Sequence, residues 1–332
     1  MRYSAAVLRH LSTSAVVSMT NPDPRLVLET FQAVRHRHGV EQSRGNAFMD
    51  EQYRYWEGQP LLERRTGWRD SGCPRFVYKY RASTATAQGR KRAEDLLLLH
   101  QLWLADSSKY EDPQDSQIEY RVSISGDELF REMVAHTRRT AIVSRFRAER
   151  MVSKEVASDP VALQAMMRAN AELALSQWGI CSLAANARGL RLWDEYAEGH
   201  TGVCFQFHPA TDFRGFFDLQ EVDYSDAERV IENRFYGDEI KARRLELLMV
   251  KRTKYDFEDE WRIVAGGKAN RSHAFNPAAL CGVIFGAQAC AKTKAVVAEI
   301  LDERLRATGL QPHVYQAQVV GDRVRIHRAV AA

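Results

Sequence analysis

Ser176–Phe207, SQWGICSLAANARGLRLWDEYAEGHTGVCFQF, is the stretch whose reading decides the fold. It opens on a short apolar run, Gly179 to Leu183, and passes through a polar Asn/Gly turn. One or two amphipathic helical turns carrying Trp193, Tyr196 and His200 follow, then a Gly and a β-rich run from Val203 to Phe207. The pattern predicts two buried strands bracketing a presented aromatic helix. Trp193 and Tyr196 are spaced i,i+3 and Tyr196 and His200 i,i+4, so a helix puts all three on one face, which is either core or a ligand wall.

On the N-terminal side, Asp70-Ser71-Gly72-Cys73-Pro74 is turn chemistry that introduces a strand over Arg75–Arg81. Alternation puts Phe76, Tyr78 and Tyr80 on one face and Val77, Lys79 and Arg81 on the other, with Arg81 at the strand end where side chains reach clefts. Lys91 to Leu104 reads as a buried helix running into a strand at Trp103. A polar loop around Asp112-Pro113 and Asp115 follows, then a basic helix over Asp127–Arg150 and another beginning at Asp159-Pro160 and running through Met166, Met167 and Leu173.

On the C-terminal side, Phe216–Tyr224 reads as a strand with turns and Gly237–Lys251 as a helix. The second half of Lys254–Val264 alternates as a strand, with Glu258, Glu260 and Arg262 on one face and Trp261 and Ile263 on the other. A strand (Leu280–Phe285), a helix (Ala291–Thr308) and a hairpin across Gly321-Asp322 complete the pattern. No internal repeat or low-complexity linker interrupts it. The expected organisation is a mostly helical N-terminal extension, 1–74, and a single α+β domain, 75–332.

Composition sets the bounds. Of 332 residues, 45% are hydrophobic, enough for a sizeable core, and a net charge of +4 does not by itself argue for nucleic acid while remaining compatible with an anionic ligand. The 5 cysteines form no Cys-x-x-Cys pair, and three lie in apolar runs, which suggests a reducing, cytoplasmic compartment. No run approaches the roughly 20 apolar residues of a membrane span, so a soluble protein with no membrane partner is expected. The first 19 residues are rich in Arg, Ser and Ala with no acid before Asp23, a composition shared by organellar transit peptides and by ordinary frayed termini.

Three polar clusters stand at strand ends: Arg81, the Ser182-to-His200 group, and Glu258-x-Glu260. Each has a bland reading, as an ion-pair partner, a satisfied polar group or a solvated face. No Ser-His-Asp order, His-Glu-x-x-His, Walker loop or Gly-x-Gly-x-x-Gly is present. Their order, an Arg on a first strand, a Ser on a later one and a Glu-x-Glu beyond, resembles the Arg-Ser-Glu layout of the mono-ADP-ribosyltransferase superfamily.

More specifically, the chain is similar to a bacterial domain family of unknown function. The motifs that carry the similarity are Tyr78-Lys79-Tyr80-Arg81, the loop Glu111-Asp112-Pro113 (where the family usually has Asn at the first position), Trp193-x-x-Tyr196-Ala197-x-x-His200-x-Gly202, and Glu258-x-Glu260-x-Arg262. The similarity covers about residues 76–328.

These resemblances imply an ADP-ribosyltransferase-like α+β fold, with a split mixed or antiparallel sheet and flanking helices. They imply an enzyme using NAD, of the kind that serves as a bacterial toxin, effector or defence protein. A protein or nucleic-acid acceptor and an antitoxin or immunity partner would go with it. Glu260 would stabilise the positive charge of an oxocarbenium-like transition state, and Glu258 would orient or deprotonate the acceptor. Arg81 would grip the NAD phosphates beside Tyr80, Ser182 would steady the ribose or Glu260, Tyr196 or Trp193 would pack on the nicotinamide, and His200 would orient a wall residue.

Two other readings stay open on the residues alone. One is a divalent-metal phosphodiesterase using Asp112, Asp115, Glu258 and Glu260. The other is a non-catalytic nucleotide- or RNA-binding module using Arg138, Arg139, Arg145 and Arg147 of the basic helix.

Overall fold

The computed structural model describes residues 54–329, except positions 56, 71, 107–114, 116–118, 122–125, 153–158, 233–244 and much of 160–174. The expectations for residues 1–53, for Asp112 and for the Met166-Met167 pair lie outside the described residues.

The architecture is α+β around a mixed, mostly antiparallel sheet. Its central path runs β11 (Arg271–Ala274), β2 (Gln101–Asp106), β4 (Gly179–Ala184), β1 (Val77–Arg81), β5 (Val203–Phe207), β12 (Leu280–Phe285), β13 (His313–Val320) and β14 (Arg323–Arg328). On the other edge of β4 lies β10 (Glu260–Ala265), followed by β6 (Leu219–Glu221). Only the β12–β13 pair of this sheet is parallel.

β4 is the branch point. Its β10 edge is paired along the whole strand, whereas its other edge is shared: β1 meets it only at Tyr78↔Ala184, and β2 takes over at Ile180 and Gly179. Past Tyr78, β1 therefore leaves β4 and the sheet divides, although β1 stays in register with β5 to Arg81↔Val203. The close start of β5 requires Gly202, where a Cβ would lie 2.1 Å from the Arg81 carbonyl oxygen.

Strand alternation builds a core on each face. Val203, Phe205 and Phe207 of β5 enter the larger core, which also receives Leu96 and Leu97 of α2 (Ala87–Leu97) and Val297, Ile300 and Leu301 of α6 (Ala291–Thr308). Cys204 faces the other way, among Tyr80, Leu192, Trp193, Ile284 and Val324. Thr86 caps α2 by accepting from the Gly89 N–H, and Gly309, at φ 68°, ends α6.

Several local expectations are corrected. The helix α1 (Leu61–Asp70), assigned to the extension, is docked: Trp68 is 2% exposed in the larger core and stands edge-on to Phe213. The single basic helix is two, α3 (Gly126–Thr140) and α4 (Arg145–Met151). Ile142 at φ 50° breaks the run, and Ser144 caps the second helix through the Arg147 N–H. Of the expected helix Gly237–Lys251, residues 237–244 lie outside the described residues and 245–248 are helical, but its end is corrected: Val250–Lys251 is a two-residue strand, β9, which pairs in parallel with β7 (Asp223–Tyr224). Among the described residues no helix is long and apolar enough to cross a membrane.

Candidate active site

Where β1 peels from β4, a cleft of about 650 Å³ opens, a size that suits a nucleotide-scale ligand. Its walls are Tyr78 to Arg81 of β1, Ser182 to Ala184 of β4, Leu192, Glu195 and Tyr196 of α5 (Leu190–Tyr196), and a third group from Asp115, Lys251, Lys254, Tyr255, Glu258 and Glu260.

The third wall is an interlocked set of charges. Arg262, fully buried, donates from Nε to Glu260 Oε1 at 2.8 Å, from one terminal nitrogen to Asp115 at 2.7 Å, and from the other to the Leu248 carbonyl at 2.7 Å. Lys251 Nζ lies 2.6 Å from Glu258 and 3.1 Å from Glu260. Tyr196 donates its hydroxyl to Glu258 at 2.8 Å, and the Glu260 backbone N–H donates to the Tyr224 hydroxyl at 2.8 Å. Asp115, Lys251, Glu258, Glu260 and Arg262 are each less than 10% exposed, so these pairs are poorly screened by solvent.

Environment drives the two glutamates apart. Burial pushes the Glu260 carboxyl up, but the Arg262 guanidinium, Lys251 and the Ser182 hydroxyl together outweigh it and hold the group down to about 2. Glu258 goes the other way: burial, with the charge of Glu260 added, raises it despite Lys251 and Tyr196. One carboxylate is locked in its charged form while its neighbour is a stronger base than an ordinary one. Such a split separates an electrostatic stabiliser from a proton acceptor.

The opposite wall is left unsatisfied. Arg81 is half-buried, its Nε is out of solvent with no hydrogen-bond partner, and it makes no ion pair among the described residues. Beside it Lys79 reaches, among the described residues, only the Ser182 carbonyl oxygen, and burial lowers its ammonium.

Of the residues singled out in the sequence, Arg81, Tyr80, Ser182, Tyr196, Glu258 and Glu260 line one cleft. Glu258 arrives there by a different route than expected. It ends a 3-10 helix over Thr253–Glu258, Asp259 turns the chain at φ 46°, and β10 begins only at Glu260. Ser182 faces Arg262 across the β4–β10 ladder, which sets its hydroxyl against Glu260. Tyr80 contributes its edge, since its hydroxyl is taken by the Asn186 carbonyl.

Trp193 and His200 are not in the wall. Trp193 is 0% exposed, donates to the Ala187 carbonyl and meets Tyr80 edge-on. His200 lies beyond the end of α5, at φ 68°, where its ring stacks on Trp193 and contacts Asp194 at 3.1 Å. The supposed single helix face is thus divided, with Tyr196 at the cleft and Trp193 and His200 behind it. Lys251 and Asp115 complete the charged wall, and the Tyr224 hydroxyl supports it from behind by accepting from the Glu260 N–H. Lys251 gave no signal in the sequence because its short strand is too brief for alternation to show.

The metal reading meets a direct obstacle. Lys251 Nζ already sits between Glu258 and Glu260, where a divalent ion would have to bind, and Arg262 occupies both Asp115 and Glu260. The basic helix is equally unspecific: Arg145 is paired with Glu149 at 2.8 Å on an exposed face. No protein-family model, curated protein or solved structure matches the chain.

Proposed function

We propose that the protein is an NAD-dependent ADP-ribosyltransferase of the Arg-Ser-Glu type, acting on a macromolecular acceptor. The observation that carries this reading is the opposition across one cleft of Arg81, which has no ion-pair or hydrogen-bond partner among the described residues, and a buried Glu260 locked in its charged form. NAD presents complementary groups, a diphosphate for the guanidinium fork and a cationic nicotinamide ribosyl unit for the carboxylate. Support also comes from the sheet, which divides between β1 and β2 and brings Arg81, Ser182 and Glu260 onto three neighbouring strands, β1, β4 and β10.

In this reaction the bond between the ribose C1′ and the nicotinamide nitrogen breaks, and nicotinamide leaves with the electron pair. Glu260 offsets the positive charge that develops on the ribose. The acceptor's nucleophile then bonds to C1′, and its proton passes to Glu258, whose raised pKa suits it as a base. Arg262 keeps Glu260 ionised and fixed in place throughout.

Calorimetric titration with NAD tests the ligand. Wild type is expected to bind, Arg81→Met to bind about 10- to 100-fold more weakly, the value of a charged hydrogen bond or two, and Arg81→Lys to recover only part of the loss. Binding unaffected by Arg81→Met, or no NAD binding by the folded wild type, would contradict the proposal.

A further inference from the structure

We propose that Lys251 is the positioning residue of this cleft: its ammonium, seated between Glu258 and Glu260, fixes the two carboxylates relative to each other and lets both carry charge at once. What that does for catalysis rests on the function proposed above; the electrostatic role stands without it.

The placement is rigid. Lys251 lies in β9, in parallel register with Tyr224 of β7, and the backbone is held on both sides by Asp223 N–H to the Met249 carbonyl at 2.7 Å and Ser225 N–H to the Lys251 carbonyl at 2.8 Å. The side chain is 7% exposed, and its Nζ reaches Glu258 at 2.6 Å, Glu260 at 3.1 Å and Asp115 at 3.7 Å, with the Tyr255 ring 4.7 Å away. The carboxylates around it keep its charge on, against the cost of burial.

The partners are divided unequally. Arg262 serves Asp115 and Glu260 but makes no bond to Glu258. Glu258 is faced by the Tyr196 hydroxyl from α5, by Lys251 from β9, by Glu260 from β10 and by Tyr224 from β7. Among the described residues that face Glu258, Lys251 is the one cation. Without it Glu258 would be a buried carboxylate beside a second one, with only a neutral donor for company, and it would take up a proton and cease to be a base.

The test is a carboxyl titration by ¹³C NMR of glutamate-labelled protein, with Glu258→Gln assigning the signal. Lys251→Met should raise the Glu258 titration by about 1–3 pH units, the shift that one adjacent opposite charge produces, while Lys251→Arg keeps it near the wild-type position. The acid limb of nicotinamide release should move up with it, kcat falling more than KM at neutral pH and recovering in alkali. A Glu258 titration unmoved or lowered in Lys251→Met would overturn the inference. If that variant does not fold, the ¹⁵N shift of the wild-type Lys251 ammonium decides, since it must follow the Glu258 titration and an indifferent shift refutes the pairing. The titration needs no NAD. A protein that titrates as expected but never binds or cleaves NAD therefore overturns the proposed function and leaves this inference intact.

Discussion

Arg262 and Arg81 stand on strands that flank β4 from opposite sides, and both are drawn out of solvent, yet their surroundings differ completely. Arg262 satisfies Asp115, Glu260 and the Leu248 carbonyl, whereas Arg81 has a buried Nε with nothing to donate to. A buried guanidinium with every nitrogen engaged is part of a scaffold. One with an idle donor on a cleft wall is an energetic cost that folding tolerates and that an anionic ligand would relieve. Under the function proposed above, the contrast separates the wall that would hold the catalytic carboxylate from the wall that would take the substrate.

The largest effect expected from this contrast is on stability. Arg262→Met takes the guanidinium from Asp115 and Glu260, leaving Lys251 to face three buried carboxylates, and should cost about 3–5 kcal/mol in urea denaturation. Arg81→Met removes a cation that pairs with nothing among the described residues and should leave the midpoint unchanged or raise it. Equal losses in the two variants would erase the distinction between the walls.

A somewhat smaller effect lies in the pH dependence of the same measurement. Glu260 is depressed from the ordinary 4.5 to about 2, so its contribution, about 3 kcal/mol by linkage, is fully present above 4.5 and is lost as pH falls toward 2. Glu258 is raised, so the folded state holds its proton more tightly than the unfolded chain and stability declines as pH rises from 4.5 through its folded value. Urea midpoints across pH should show the acid-side loss vanish in Glu260→Gln and the decline above 4.5 vanish in Glu258→Gln. A Glu260→Gln profile that retains the acid-side loss would assign it elsewhere.

The smallest effect is expected at the rim. Tyr196 is 43% exposed and gives Glu258 a single hydroxyl at 2.8 Å, so Tyr196→Phe should cost roughly 1 kcal/mol, about fivefold in kcat/KM, with the fold intact. A loss as large as that of Glu260→Gln would promote Tyr196 from rim support to part of the machinery.

Much of the scaffold was legible because it follows alternation and turn chemistry. Strands over 77–81, 179–184, 203–207 and 280–285, the helix 291–308 and the hairpin at Gly321 all appear where the pattern put them. What escaped depends on backbone turns that residue type does not announce. Ile142, Glu198 and Asp259 adopt positive φ without being glycine, and each stands at the break of a periodic run that the sequence alone continues. Asp259 takes Glu258 off the strand, and the turn before His200 takes that ring away from Tyr196. Long-range assembly hid the rest: the sequence grouped Asp115 with Glu258 and Glu260 only as metal ligands, and nothing local to Lys251 shows that its ammonium stands among them, because strand pairing and chain reversal bring it there.

The measurement that tests the central claim most directly is incubation of the purified protein with labelled NAD and a cell lysate, comparing wild type with Glu260→Gln. Free nicotinamide and label on macromolecules are followed together. Wild type is expected to release nicotinamide and label a macromolecule, with Glu260→Gln slower by roughly a hundredfold or more, the value of about 3 kcal/mol of transition-state stabilisation. A folded wild-type protein that yields neither product in any of several lysates, or a Glu260→Gln variant as active as wild type, would contradict the account.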